Sequence, residues 1–388
     1  MLPLRNLILC LLLGSTASYG AETKAPETKA TETRATGPAL IKADNAPPAQ
    51  NKVTITVKGE KRIIESNGIP DHKVSMFPNR GNPNPISEQK YSLQVPTNPQ
   101  PSKGGASARM MSAWGVALNG VVFDPGTAEV YNDGDRSNPW HYEALTSNKT
   151  MGTTPKIKSG LGLDENHGHV QPNGAYHYHG LPTLLLERLS GGETKMTHVG
   201  WAADGYPVYA IYAYTNPEDP KSPLKNMKSS YRLKTTERGG DGKTTPTGQP
   251  DGSFGLDFEY VAGSGDLDEF GGRTGVTPEF PKGTYYYVLT EDYPFIPRKH
   301  KGTADPSFSK QNLDPHSNLG GQAGGPGKGG KGKGKGGPGQ GKGGFGPDGP
   351  GQGKGGFGGP PPFDGPPPLD GPPPGATPAA PVEPAAKK

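Results

Sequence analysis

Between Ala106 and Phe308 the apolar residues come only in short runs, each closed within a few positions by Gly, Pro or Asp. This punctuation limits what the chain can fold into, because runs of that length suit strands and interrupt helices. The runs are Trp114 to Leu118, Val121 to Phe123, Ala175 to His179, Val208 to Tyr214, Phe258 to Val261 and Tyr285 to Thr290. One helical pattern stands among them, Thr183 to Leu189, with Pro182 at its start and Gly191-Gly192 beyond its end. The spacing predicts a mainly β, single sandwich- or barrel-like domain with one short helix.

The flanks cannot extend that core. Hydrophobic residues are 30% of the chain, while Gly at 61 and Pro at 45 together exceed a quarter of it. Residues 313–388 read as a low-complexity disordered tail in which Gly-Gln-Gly-Lys-Gly-Gly-Phe-Gly occurs twice, followed by Pro-Pro-Pro-Phe-Asp-Gly and Pro-Pro-Pro-Leu-Asp-Gly. From residue 320 the tail carries eight Lys against four acids, which accounts for the whole net charge of +4. Lysines spaced by glycine suit weak contact with polyanions or the cell envelope. The remainder is formally neutral, so it has no overall basic excess for nucleic acid.

At the other end, Arg5, the apolar run Leu7 to Leu13 and the small residues around Gly20 predict a cleaved signal peptide over 1–20, placing the protein in the periplasm or outside the cell. The run is far shorter than the roughly 20 residues that span a bilayer. The only cysteine, Cys10, leaves with the signal, so disulfides and thiolate sites are excluded from the mature chain. Residues 21–50 read as a disordered linker. Residues 51–105 read as a β hairpin, Val53 to Val57 against Arg62 to Ser66, plus an extended segment, and the main domain as 106–312.

Four of the nine histidines fall within 167–179, as His167-Gly168-His169 and His177-Tyr178-His179 around a Pro172-Asn173-Gly174 turn. In a strand, residues i and i+2 share a face about 6.5 to 7 Å apart, so paired imidazoles can converge on one ion. The alternation sends Tyr176 and Tyr178 to the core face and the histidines to the other. Nitrogen ligands without thiolate suit Cu or Zn, with Cu(II) favoured among divalent ions. The expected ligands are His167, His169, His177 and His179, with His198 brought near by the fold. Ordinary histidines would release the ion below about pH 6. Asp164, Glu165, Asn173, Tyr176 and Tyr178 are the candidates for supporting or acid/base roles.

The stretch Leu161 to Pro182 resembles the defining segment of the YHYH domain family of exported bacterial proteins. Similar matches occur at Val116 to Gly120, Phe123 to Gly126, Trp140 to Ala144, Gly200 to Gly205, Asp266 to Glu269 and Gly283 to Tyr287. The resemblance implies export and names no reaction. It departs after Asp268-Glu269, where Cys-Asn-Gly is the expected pattern and Phe270-Gly271-Gly272 stands, which removes any cysteine-dependent role.

Asp266, Asp268 and Glu269 form a candidate Ca²⁺ site among glycines. Arg273, Asp292 and Arg298 are candidates for ion pairs near strand ends. No Gly-X-Ser-X-Gly elbow, phosphate loop or dinucleotide fingerprint occurs. Three functions therefore compete: a metal-binding exported domain, a metal-dependent secreted hydrolase or oxidoreductase, and a carbohydrate or adhesion module using aromatic platforms.

Overall fold

Strands Val53–Lys58 (β1) and Lys61–Ser66 (β2) pair in register across the Gly59-Glu60 turn, and Tyr91–Pro96 (β3) adds antiparallel to β2. Alternation then separates the faces: Tyr91, Leu93 and Val95 of β3 are buried with Ile64 of β2, while β1 lies almost wholly exposed at the edge. The computed structural model describes residues 40–103, 106–107, 113–132, 135, 137–145 and 160–313. The expected signal peptide, most of the linker and the tail beyond 313 lie outside the described residues.

A second, eight-stranded sheet is built from Gly115–Ala117 (β4), Val122–Phe123 (β5), Gly168–Val170 (β6), Tyr176–Tyr178 (β7), Thr197–Ala202 (β8), Pro207–Ala210 (β9), Gly272–Gly275 (β10) and Thr284–Leu289 (β11). Its order is β10-β11-β9-β8-β4-β5-β7-β6, antiparallel except where β9 meets β11 and β5 meets β7. The sheet ends at β10 and β6 without closing, so the fold is mainly β and open, and the barrel alternative does not hold. One face packs on the three-stranded sheet: Val116, Val122 and Trp201 meet Ile64, Leu93 and Val95. The opposite core is aromatic, with Trp114, Phe123, Tyr176, Tyr178 and Tyr287 packed around Val199 and Leu185.

Leu185 comes from the helix Thr183–Ser190 (α1), the one predicted from sequence. It packs on β8 and stops at Gly191, whose left-handed φ of +67° caps the last carbonyls. A second helical turn, Lys310–Leu313 (α2), follows the buried Phe308. Among the described residues no helix is long and apolar enough to cross a membrane.

Residues 40–50, expected as linker, are pinned instead. Ile41 bridges Asp164, Asn45 bridges Val74, and Ala43 is buried. Their few apolar side chains, Leu40 and Ala43, pack on distant segments, and backbone groups of those segments pair with their own.

Tyr176 fills the centre of the aromatic core, so Tyr176→Ala is expected to cost about 3 to 5 kcal/mol in urea unfolding of metal-free protein. Val57→Ala on the exposed edge should stay within about 0.5 kcal/mol.

Candidate metal centre

β6 and β7 form a hairpin whose reversal is the Pro172-Asn173-Gly174 turn. Gly174 takes φ +85°, the Gly174 N–H donates to the Gln171 carbonyl, and the Gln171 N–H to that of Ala175. The resulting register sets His169 directly opposite His177. His179, two residues beyond His177, lies on the same face. The three rings stand 4.7 to 4.8 Å apart between centroids. Their inner nitrogens are closer: His179 Nε2 is 3.0 Å from His177 Nε2 and 3.1 Å from His169 Nε2. These three side chains are the one metal-competent group among the described residues, with all ligand atoms within 4.8 Å of one another.

The outer nitrogens decide what the inner ones can do. His169 Nδ1 lies 2.9 Å from the Leu161 carbonyl and His177 Nδ1 lies 3.3 Å from that of Ala175. A carbonyl only accepts, so each Nδ1 carries the proton and each neutral ring turns an Nε2 lone pair inward. His179 Nδ1 has no partner at hydrogen-bonding geometry, although the Pro125 carbonyl on that side favours its protonated form. The same carbonyl receives the Arg298 guanidinium, which also pairs with buried Glu143 at 2.5 Å. Nitrogen lone pairs about 3 Å apart with at most one proton to share repel, and a cation at the centre removes that repulsion.

Burial keeps these rings neutral. Loss of hydration pushes His169 down to about 3, with His177 adding to the effect, and His177 down to about 4. His179 is lowered as well, by burial first and then by its two neighbours. Beside them, Gln171 donates at 3.1 Å to Asp124, whose carboxyl is raised by burial while Lys310 and His169 pull it back.

His167 does not join the cluster. Its φ of +55° leaves the strand conformation one residue before β6 begins, and its Nδ1–H donates instead to the Leu181 carbonyl at 2.7 Å. His198 is held in another part of the sheet, edge-on to Trp201 and donating to the Gly200 carbonyl. The carboxylate of Asp164, fully buried, accepts the N–H groups of Asn166 and Gly168 and the Tyr176 hydroxyl at 2.8 Å. Gly168 is required there, since a Cβ would stand 2.4 Å from the Tyr176 ring. Glu165 accepts from the Ala43 N–H, and Asn173 closes its own turn onto Ala175. The Tyr178 hydroxyl donates to His72 Nε2 and accepts from Asn119. These five thus organise the hairpin from its far face. Gln171 lies within the histidine segment and Asp124 and Pro125 within the Phe123 to Gly126 match, yet no sequence signal assigned them to the site; Arg298 was marked only as an ion-pair residue, and its buried partner Glu143 is chosen by the fold.

The acidic trio is spent separately. Asp266 pairs with Lys225, Asp268 accepts from Phe270, Gly272 and Tyr285, and Glu269 pairs with Lys299. They do not converge as a Ca²⁺ site would require.

A family model described as YHYH protein matches residues 92–302, a span that begins in β3 and contains the whole triad. No curated protein matches the chain. No solved structure matches it either.

The depressed histidines make stability depend on pH. Unfolded imidazoles protonate near 6.5, while folded His169 and His177 do so only near 3 and 4 and His179 is lowered with them, so the stabilisation present above about pH 6.5 is lost as pH falls through that window. Asp164, raised to about 6 by burial, works in the opposite sense, which makes a variant comparison necessary. Metal-free protein should lose stability between pH 7 and pH 4 with a slope of up to about 1.4 kcal/mol per unit for each histidine. His177→Ala with His179→Ala should flatten that slope in urea titrations at pH 7, 6 and 5.

Proposed function

The chain belongs to the YHYH protein family, and we propose that it is an exported member that holds one Cu or Zn ion on His169, His177 and His179. The observation that carries this reading is the convergence of three Nε2 atoms, two of whose rings have their Nδ1 protons committed to backbone carbonyls. Ligand orientation by an outer hydrogen bond is the usual device of imidazole metal sites. Nitrogen donors without thiolate suit Cu and Zn, and the Irving–Williams order favours Cu(II) where both are supplied. The sequence of residues 1–20, read as an export signal, supports delivery of the chain to a compartment outside the cytoplasm.

A second reading, a metal-dependent hydrolase or oxidoreductase, is favoured by the ligand count. Three imidazoles leave a fourth position for water or substrate, the arrangement of catalytic zinc. The adhesion reading has less support, since Trp114 and Trp201 are buried in the two cores and offer no platform to a glycan.

Protein purified untagged from the exported fraction should contain about one equivalent of Cu or Zn by elemental analysis, as expected for three ligands on one ion. His177→Ala with His179→Ala should abolish binding, while His167→Asn should keep it. Because burial lowers the triad, binding should persist at pH 5, below the limit of about 6 set by ordinary histidines. Calorimetry on stripped protein that shows nothing tighter than about 100 μM, or a double variant that binds like the parent, rejects the metal reading. An azide-induced spectral shift in the Co(II)-loaded form would establish the open position.

A further inference from the structure

A cleft of about 740 Å³ opens beside α1 and the Tyr231–Leu233 strand, and His167 lines it. Its walls are aliphatic at Leu181, Leu186 and Leu233 and aromatic at Phe258, Tyr293 and Phe295. Phe258 and Tyr293 stack on one another at 3.8 Å. The volume lies within the range of pockets that enclose a drug-sized molecule.

Three features select the chemistry of an occupant. The hydroxyl donors around the cleft are already used: Thr183 donates to Leu181, Thr290 to Asp292, Tyr231 to Glu269 and Tyr293 to Gly255, while Arg232 donates to the carbonyls of Ser229, Tyr231 and Ser264. An anion would meet the two carboxylates of Glu291 and Asp292, partnered by Asn226 and Lys228, against the single guanidinium of Arg232, which is already turned to three carbonyls. Among the rings of the cleft, one nitrogen acceptor is open. His167 gives its Nδ1 proton to Leu181, so its Nε2 carries a lone pair that has no partner among the described residues.

The backbone sets this site apart. His167 at φ +55° and Phe295 at φ +58° are the two non-glycine residues of positive φ among the described residues, and both line the cleft. Such conformations persist only where the surrounding structure enforces them, and they gather at ligand sites.

We propose that this cleft binds a neutral aromatic compound carrying a hydroxyl group, the rings lying against Phe258, Tyr293 and Phe295 and the hydroxyl donating to His167 Nε2. None of the three triad histidines lines the cleft, and the test uses full-length protein stripped of metal.

Calorimetry at pH 8 with 2-naphthol, 2-methoxynaphthalene and 2-naphthoate tests the proposal. 2-Naphthol should bind at micromolar concentration, at least about tenfold more tightly than the ether, which has no proton to donate, and than the anion. His167→Asn tolerates a positive φ and removes the acceptor, and it should abolish the preference for naphthol over the ether. Leu233→Trp, at a position already 41% exposed, should weaken both by narrowing the cleft without disturbing the core. The proposal fails if naphthol shows no saturable binding below about 1 mM, if parent protein binds naphthol and ether equally, or if naphthoate binds best. It fails equally if the preference survives in His167→Asn, or if Leu233→Trp binds both ligands as the parent does.

Discussion

The buried carboxylate of Asp164 sets the geometry on which both sites depend. It accepts the N–H groups of Ser75, Asn166 and Gly168 and the hydroxyl of Tyr176, four bonds made inside an apolar core. Closing two N–H groups onto one oxygen forces the residue between them, His167, into the left-handed region. That single reversal divides the first histidine pair. His167 turns towards Leu181 and the cleft, and His169 continues into β6 and faces His177. A carboxylate that holds no ligand itself thereby decides which imidazoles can.

The centre it helps to build is a place where hydration has been removed and only partly replaced. Neutral imidazoles are the stable form because charged ones would lose their water without a counter-ion, and Asp124, the acid that acts on His169, is itself pushed towards its protonated form by burial. Arg298, paired with Glu143 and donating to the Pro125 carbonyl, adds positive potential behind His179 and opposes its protonation further. A divalent ion suits such a site better than a proton does, since it satisfies three lone pairs at once. The same desolvation makes the triad costly in acid, so ligand geometry and fold stability are linked through the same three side chains.

Much of the fold was legible because it rests on local rules. The short apolar runs, the helix between Pro182 and Gly191, and the hairpin around Pro172-Asn173-Gly174 follow from periodicity and turn chemistry, which act over a few residues. The linker at 40–50 was misjudged for the converse reason. Ile41 and Asn45 are ordered by the edges of segments far along the chain, and no property of their own sequence announces it. The open sheet order, with parallel contacts between β5 and β7 and between β9 and β11, likewise depends on crossovers that periodicity does not describe.

For the site, the sequence by itself determined that His177 and His179 share a face and that a tight turn brings the first histidine segment alongside, since strand alternation and the conformational freedom of Gly174 are properties of the local backbone. Tertiary structure alone decided that three imidazoles converge instead of four or five. It excluded His167 through a buried carboxylate, kept His198 against Trp201, set the Leu161 carbonyl against His169 and brought Arg298 and the Pro125 carbonyl towards His179. The physical reason is that desolvation and outer hydrogen bonding are set by whatever the rest of the chain packs against the motif, and those groups lie up to more than a hundred residues away.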